Sequence, residues 1–256
     1  MIDLGSGTPI VLIPGIQGRW EWVRPAVEAL ARRQRVVAFS LCDERTSGFA
    51  CEPAHGFDNY VNQVMQAMDR AGLRSAVVAG VSYGGLIASE FAARYPDRVS
   101  RLVLVSALPT GWTPDARVRF YLKAPRLLSP IFVLTAPGRL RAEFAAAVPG
   151  IAKRFRAMAR HGLRVARAPM SPTLMARRVR WAEQHRFADP GTVTAPTLVV
   201  TGEPELDRIV PVASTRRYLE CLRSAEHVVL AHTGHLGIVT RPDAFAATLE
   251  RFVNAD

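Results

Sequence analysis

The sequence predicts an α/β fold: a mostly parallel central sheet flanked by helices, interrupted by one inserted block of helices. Three observations lead there. Short apolar runs ending in turn residues alternate with helical spacing through residues 9–105. The alternation stops after Leu108 and resumes at Pro196. The chain's excess positive charge fills the same interval. Residues 107–195 carry 16 Lys or Arg and 4 Asp or Glu, a balance of +12, while the remainder carries 17 and 18, a balance of −1.

The first strand candidates are Pro9–Ile13, ending at Pro14-Gly15, and Arg35–Phe39, ending at Ser40. Ala76–Ala79 ends at Gly80, and Leu102–Val105 ends at Ser106. Their apolar residues run without alternation, as in strands buried on both faces. Between them Trp22–Arg33, Phe57–Ala71 and Gly84–Tyr95 have helical spacing, with Pro96 closing the last. Strand and helix in alternation build βαβ units and a parallel sheet. The middle of the chain holds Pro-punctuated helical segments, among them Ile151–Arg160 and Leu174–Gln184, while Ile131–Leu134 fits strand or helix. Thr197–Val200 and His227–Ala231 then restore the strand pattern, and Phe245–Val253 reads as a final helix. The expected domains are a core of 1–107 and 192–256 and a helical insertion of 108–191.

Composition narrows the function classes. Hydrophobic residues make up 49% of 256, enough for a substantial core. No apolar run reaches the ~18 residues of a membrane helix, and the N-terminus lacks a basic stretch followed by an apolar one. Cys42, Cys51 and Cys221 are odd in number and lack metal-ligand spacing. Neither a disulfide framework nor a metal site is expected, and the cytoplasm is the expected compartment.

The strongest local signal is Gly80-Val81-Ser82-Tyr83-Gly84, directly after a strand and before a helix. A nucleophile on a sharp strand-to-helix turn leaves little room around its backbone, so small residues are needed two positions to either side. The alternative is an ordinary glycine-rich turn. A serine hydroxyl needs a base within hydrogen-bond reach. His235, in the loop between the last strand and the last helix, is best placed, with His232 as rival; His55, His161, His185 and His227 lack such a setting. The base needs an acid to fix its tautomer. Asp207, in the loop after Val200, is preferred over Glu203 and Glu205 on the same loop. Acyl transfer also needs amides aimed at the developing oxyanion. Tyr83 follows the nucleophile, and Ile16 lies in Pro14-Gly15-Ile16-Gln17-Gly18 after the first strong strand.

Together these elements resemble the α/β-hydrolase family over nearly the whole chain. Phe91–Val99 leading into Leu102–Val105 is similar to the family as well. Two positions depart from it: Pro14 stands where many members carry His, and Asp43–Gly48 matches the corresponding loop only loosely. Serine at 82 separates the chain from family members with an aspartate nucleophile, the dehalogenases and epoxide hydrolases. The resemblance implies a cofactor-free carboxylic ester hydrolase acting on small to medium acyl substrates, with 108–191 as a helical cap. C–C bond hydrolysis, lactone opening and haloperoxidase-like chemistry use the same machinery. From a different class, the scaffold also serves as a non-catalytic ligand receptor.

Lys153, Arg156, Arg160, Arg164 and Arg167 recur every three or four residues, placing them along one helical face. Ile151, Phe155 and Met158 form an apolar stripe on another, the face expected to pack over the core. The basic stripe reads first as a solvated face, with attraction of anionic substrates or of an anionic membrane surface as alternatives. The expected partner is a small-molecule ester; neither nucleic acid nor membrane is expected, and the oligomeric state stays open.

Overall fold

The computed structural model describes residues 1–255. Seven strands form one sheet: β1 (Ile2–Leu4), β2 (Pro9–Ile13), β3 (Arg35–Ala38), β4 (Ala76–Val81), β5 (Val99–Val105), β6 (Thr197–Thr201) and β7 (Ala225–Val229). Their spatial order is β1-β3-β2-β4-β5-β6-β7, and every neighbouring pair is parallel except β1 with β3.

Helices α1 (Arg24–Leu30), α2 (Asp58–Arg70) and α3 (Tyr83–Arg94) fill the early crossovers. Side chains along a strand alternate between faces, and β2 shows the result. Val11 and Ile13 join Val61, Leu86 and Phe91 in the layer under α2 and α3. Ile10 and Leu12 join Val27, Phe245 and Leu249 in the opposite layer. These four of the five β2 side chains are fully buried, which is why that strand reads as an uninterrupted apolar run.

After β5 the chain leaves the sheet for four helices: α4 (Ala116–Lys123), α5 (Pro125–Ala147), α6 (Ile151–Arg167) and α7 (Pro172–Gln184). It returns at β6 and continues through α8 (Val212–Arg216), α9 (Tyr218–Cys221), α10 (Gly237–Thr240) and α11 (Pro242–Val253). The ambiguous Ile131–Leu134 lies inside α5, a 23-residue helix that carries Pro130 and Pro137 within it. Helix α6 runs through Gly162 to Arg167.

Helix α6 packs by a different face from the one the sequence suggests. Ile151 and Phe155 are 84% and 75% exposed, and only Met158 of the expected stripe is half-buried. The helix is anchored instead by His161, whose ring lies 6.1 Å from Trp22 and 5.9 Å from Phe144. The Trp22 Nε1–H donates to the Ala168 carbonyl at 2.8 Å. Burial pushes His161 down to about 4, helped by nearby Arg164, so it sits there as a neutral aromatic ring.

Helix α7 is tied to the core by a fully buried arginine. The Arg178 guanidinium donates to both carboxylate oxygens of Asp43, reaching Oδ1 at 2.6 Å, and to Glu44 Oε1 at 2.6 Å. Its remaining Nη1 donates to the Ile16 carbonyl at 2.8 Å, and the Arg178 carbonyl accepts from the Tyr83 hydroxyl at 2.9 Å. Arg178 and Asp43 side chains are both 0% exposed. A buried pair is costly to break because the remaining charge stays desolvated. Arg178→Met should therefore lower the unfolding free energy by about 3–5 kcal/mol in urea titration. Adding Asp43→Asn should recover part of that loss, so the double variant should fall short of the sum of the singles.

Candidate active site

The loops after β2, β4, β6 and β7 hold the predicted residues. Because those strands are parallel, all four loops open from the same edge of the sheet, where ligands bind in open α/β sheets.

Ser82 sits between β4 and α3 with φ 54° and ψ −116°, a left-handed conformation for a residue with a side chain. Its N–H donates to the Val105 carbonyl at 2.8 Å, and its carbonyl accepts from Gly85 at 2.9 Å and Leu108 at 3.2 Å. The flanking glycines are spatial necessities. A methyl group on Gly80 would strike the Gly84 carbonyl, and one on Gly84 would lie 2.5 Å from the Pro14 oxygen. The turn of residues 14–18 passes beside the serine: a Cβ on Gly15 would stand 3.5 Å from Ser82 Cβ. The Gly18 N–H closes that turn on the Gly15 carbonyl at 2.9 Å. Ile16 is half-buried there, its carbonyl engaged by Arg178. Tyr83 opens α3, where the first amides have no acceptor within the helix.

His235 lies in the loop before α10, and its Nδ1 is 3.3 Å from Asp207 Oδ2. Asp207 Oδ1 accepts from the Ile209 and Val210 amides at 3.0 and 2.9 Å, which fixes the carboxylate plane. Of the rival acids, Glu203 accepts instead from the His232 amide at 2.7 Å, and Glu205 is exposed. His232 is itself 67% exposed. Two of the remaining histidines have other partners: His185 meets Glu90 at 3.1 Å, and His227 meets Thr201 at 2.9 Å. The loops bearing Asp207 and His235 are stitched together where the Glu203 N–H donates to the Thr233 carbonyl at 2.8 Å.

Burial resists charge on His235, but the Asp207 carboxylate and its hydrogen bond outweigh it, so the imidazole is held above its ordinary value. Burial likewise resists charge on Asp207, yet His235 and the two amides hold it below the usual carboxylate range. Ser82, Asp207 and His235 are each 6% exposed.

One group at this site left no trace in the sequence reading. Glu143 of α5 is 1% exposed, and its carboxylate accepts from the Leu236 amide at 3.1 Å, next to His235. Burial raises its affinity for a proton, opposed by the Leu236 and Gly234 amides. A lone Glu in an alanine-rich helical stretch was the only available hint. Among the described residues no group of three or more His, Cys, Asp or Glu converges as a metal-ligand set.

The family model for the alpha/beta hydrolase fold matches residues 8–242. The 2-hydroxy-6-oxo-2,4-heptadienoate hydrolase of Pseudomonas putida is 26% identical, over 99% of this chain and 92% of its own. The 2-hydroxymuconate semialdehyde hydrolase of Pseudomonas sp. strain CF600 is also 26% identical, over 98% of this chain and 88% of its own. A bromoperoxidase structure from Bacillus anthracis superposes with a TM-score of 0.78 at 19% identity, over 99% of this chain and 94% of that one, a likeness of fold. With the elbow at Ser82 and the parallel sheet beneath it, the matched model leads to one conclusion: the chain belongs to the alpha/beta hydrolase fold family.

Proposed function

We propose that the chain is a serine hydrolase cleaving carboxylic esters of small to medium acyl substrates through an acyl-enzyme at Ser82. The observation that carries this reading is the buried His235–Asp207 contact on the same sheet edge as the Ser82 elbow. Ser82 Oγ attacks the ester carbonyl while His235 Nε2 takes its proton. Asp207 holds the Nδ1–H and stabilises the imidazolium. The amides of Ile16 and Tyr83 hold the tetrahedral oxyanion. Collapse breaks the C–O bond, and His235 passes its proton to the departing alkoxide. Water, deprotonated by His235, then attacks the acyl-enzyme, releasing the acid and restoring Ser82. The inserted helices serve as a cap that excludes bulk water and shapes the acyl pocket.

A second reading is hydrolysis of a C–C bond in a vinylogous diketone acid on the same three residues. The relative acting on 2-hydroxy-6-oxo-2,4-heptadienoate, matched along 99% of this chain, favours it. So does the +12 balance of residues 107–195, which suits a carboxylate-bearing substrate. A turnover screen with p-nitrophenyl esters of graded chain length, lactones and a vinylogous diketone separates the two by catalytic efficiency.

Ser82→Ala and His235→Ala should each lower ester turnover on the order of 10⁴-fold or more. Fluorophosphonate labelling should vanish in Ser82→Ala, while circular dichroism stays that of the parent. Unreduced turnover by homogeneous Ser82→Ala protein would overturn the assignment.

Asp207→Asn should cost about 10⁴-fold, since the amide favours the wrong imidazole tautomer. Glu203→Gln and Glu205→Gln should change kcat/KM only slightly. A crippling effect of either glutamine, with a mild one for Asp207→Asn, would move the acid to that residue.

The base must be neutral to accept the serine proton, so activity falls as pH drops through the His235 pKa. Because that pKa is raised, the acid limb of kcat/KM should lie above the ordinary value of about 6.5. Asp207→Asn should shift the limb to lower pH in whatever activity remains.

A further inference from the structure

Helix α6 combines two features that a helix packed only for structure does not need together. Ile151, Phe155 and Leu163 are 84%, 75% and 51% exposed. At 3.6 residues per turn they share a sector of about 120°. Beyond the Leu163 edge of that sector run Arg156, Arg167, Arg160 and Lys153, exposed and without an ion-pair partner among the described residues. The helix carries six Lys or Arg and no Asp or Glu. The neighbouring α5 adds a second exposed apolar row, Leu127 and Leu134 at 77% and 78%.

We propose that the solvent face of α6 is a docking surface for an anionic lipid membrane, with the apolar sector entering the headgroup boundary and the flanking cations meeting lipid phosphates. A helix whose apolar face is flanked by unneutralised Lys and Arg fits the interface of a bilayer, where both surfaces find a partner at one depth. The charge pattern argues against the other occupants. A second copy of this face would set cations against cations. Nucleic acid would engage the arginines but leave Ile151 and Phe155 against a charged backbone. No helix among the described residues is long and apolar enough to cross a membrane, so the contact is peripheral. The surface is independent of the chemistry at Ser82, and it reverses the expectation that the chain makes no membrane contact.

Vesicle sedimentation with the full chain tests this. Vesicles of phosphatidylcholine alone are compared with vesicles containing about one-third phosphatidylglycerol, at low and high salt. Binding should be at least about tenfold stronger to the anionic vesicles and should weaken with salt, because exposed charges are screened. The pair Ile151→Ser and Phe155→Ser, and separately the pair Arg156→Glu and Arg160→Glu, should each reduce it about tenfold or more. The serine pair changes exposed side chains only, so its melting temperature and its ester turnover without lipid should match the parent. Should that pair melt lower, Leu163→Ser alone supplies the apolar arm, with a smaller loss of binding expected. Ser82→Ala should bind vesicles as the parent does, which separates docking from substrate turnover. No binding to anionic vesicles at low salt overturns the proposal, and so does equal binding to both compositions. Concentration-dependent dimerisation in light scattering that the serine pair abolishes assigns the face to a second copy and overturns it as well.

Discussion

A side chain held at positive φ costs about 1–3 kcal/mol and persists only where its surroundings over-determine it. Ser82 is such a residue, and much of the molecule can be understood as what holds it. Strand β4 lies in the middle of the sheet, clamped by β2 and β5. The serine amide is bound to the end of β5 at the Val105 carbonyl, and its own carbonyl serves Gly85 and Leu108. The glycine at 84 lets α3 descend onto the end of β2, since any larger residue would meet the Ile13 and Pro14 carbonyls. That descent brings the turn of residues 14–18 against the serine. Ser82 and the turn bearing Ile16 are thus products of one crowded junction.

The acid and base reach the same edge by a different route. Strands β6 and β7 run parallel in register from Thr197–Ala225 to Thr201–Val229, so their exit loops lie side by side. Asp207 and His235 meet across that seam, and Glu143 closes on it from the insertion through the Leu236 amide. The insertion touches both halves of the machinery: α5 grips the base loop, while Arg178 of α7 grips the turn bearing Ile16 and the hydroxyl of Tyr83. The inserted segment is therefore also part of the scaffold around Ser82, Asp207 and His235.

Much of this was legible in the residues. Fully buried parallel strands such as Pro9–Ile13 announce themselves as unbroken apolar runs, and the elbow's steric demand is written as glycines at fixed spacing. Other features carry no local signal. Strand β1 is three residues, Asp3 and Leu4 of them exposed, and it pairs with β3 more than 30 positions away, where Arg35 meets Asp3 at 2.7 Å. The Asp43–Arg178 pair spans 135 residues, and either charge alone reads as solvated loop or surface helix. Helix α5 contradicts the usual reading of proline as a boundary, because Pro130 and Pro137 sit within a helix held by its neighbours. Helix α6 turns its largest apolar side chains outward and a histidine inward. Periodicity locates a stripe; it does not say which stripe meets the core.

The burial of the insertion is uneven along its length. Helix α7 buries Ala176, Arg178, Val179, Trp181 and Ala182, whereas α4 buries none and α6 only His161. Local opening free energy scales with such buried contact, so α4 and α6 should open at lower cost than α7. Amide hydrogen exchange would register this as two populations, fast in α4 and α6 and slow in α7. Under the proposed hydrolase reading, substrate must reach three residues that are each 6% exposed, while the Arg178 anchorage holds α7 to the core. Under that same reading the turn of residues 14–18 stays held by Arg178 while α4 and α6 open, and passage of substrate and product is a kinetic step in its own right.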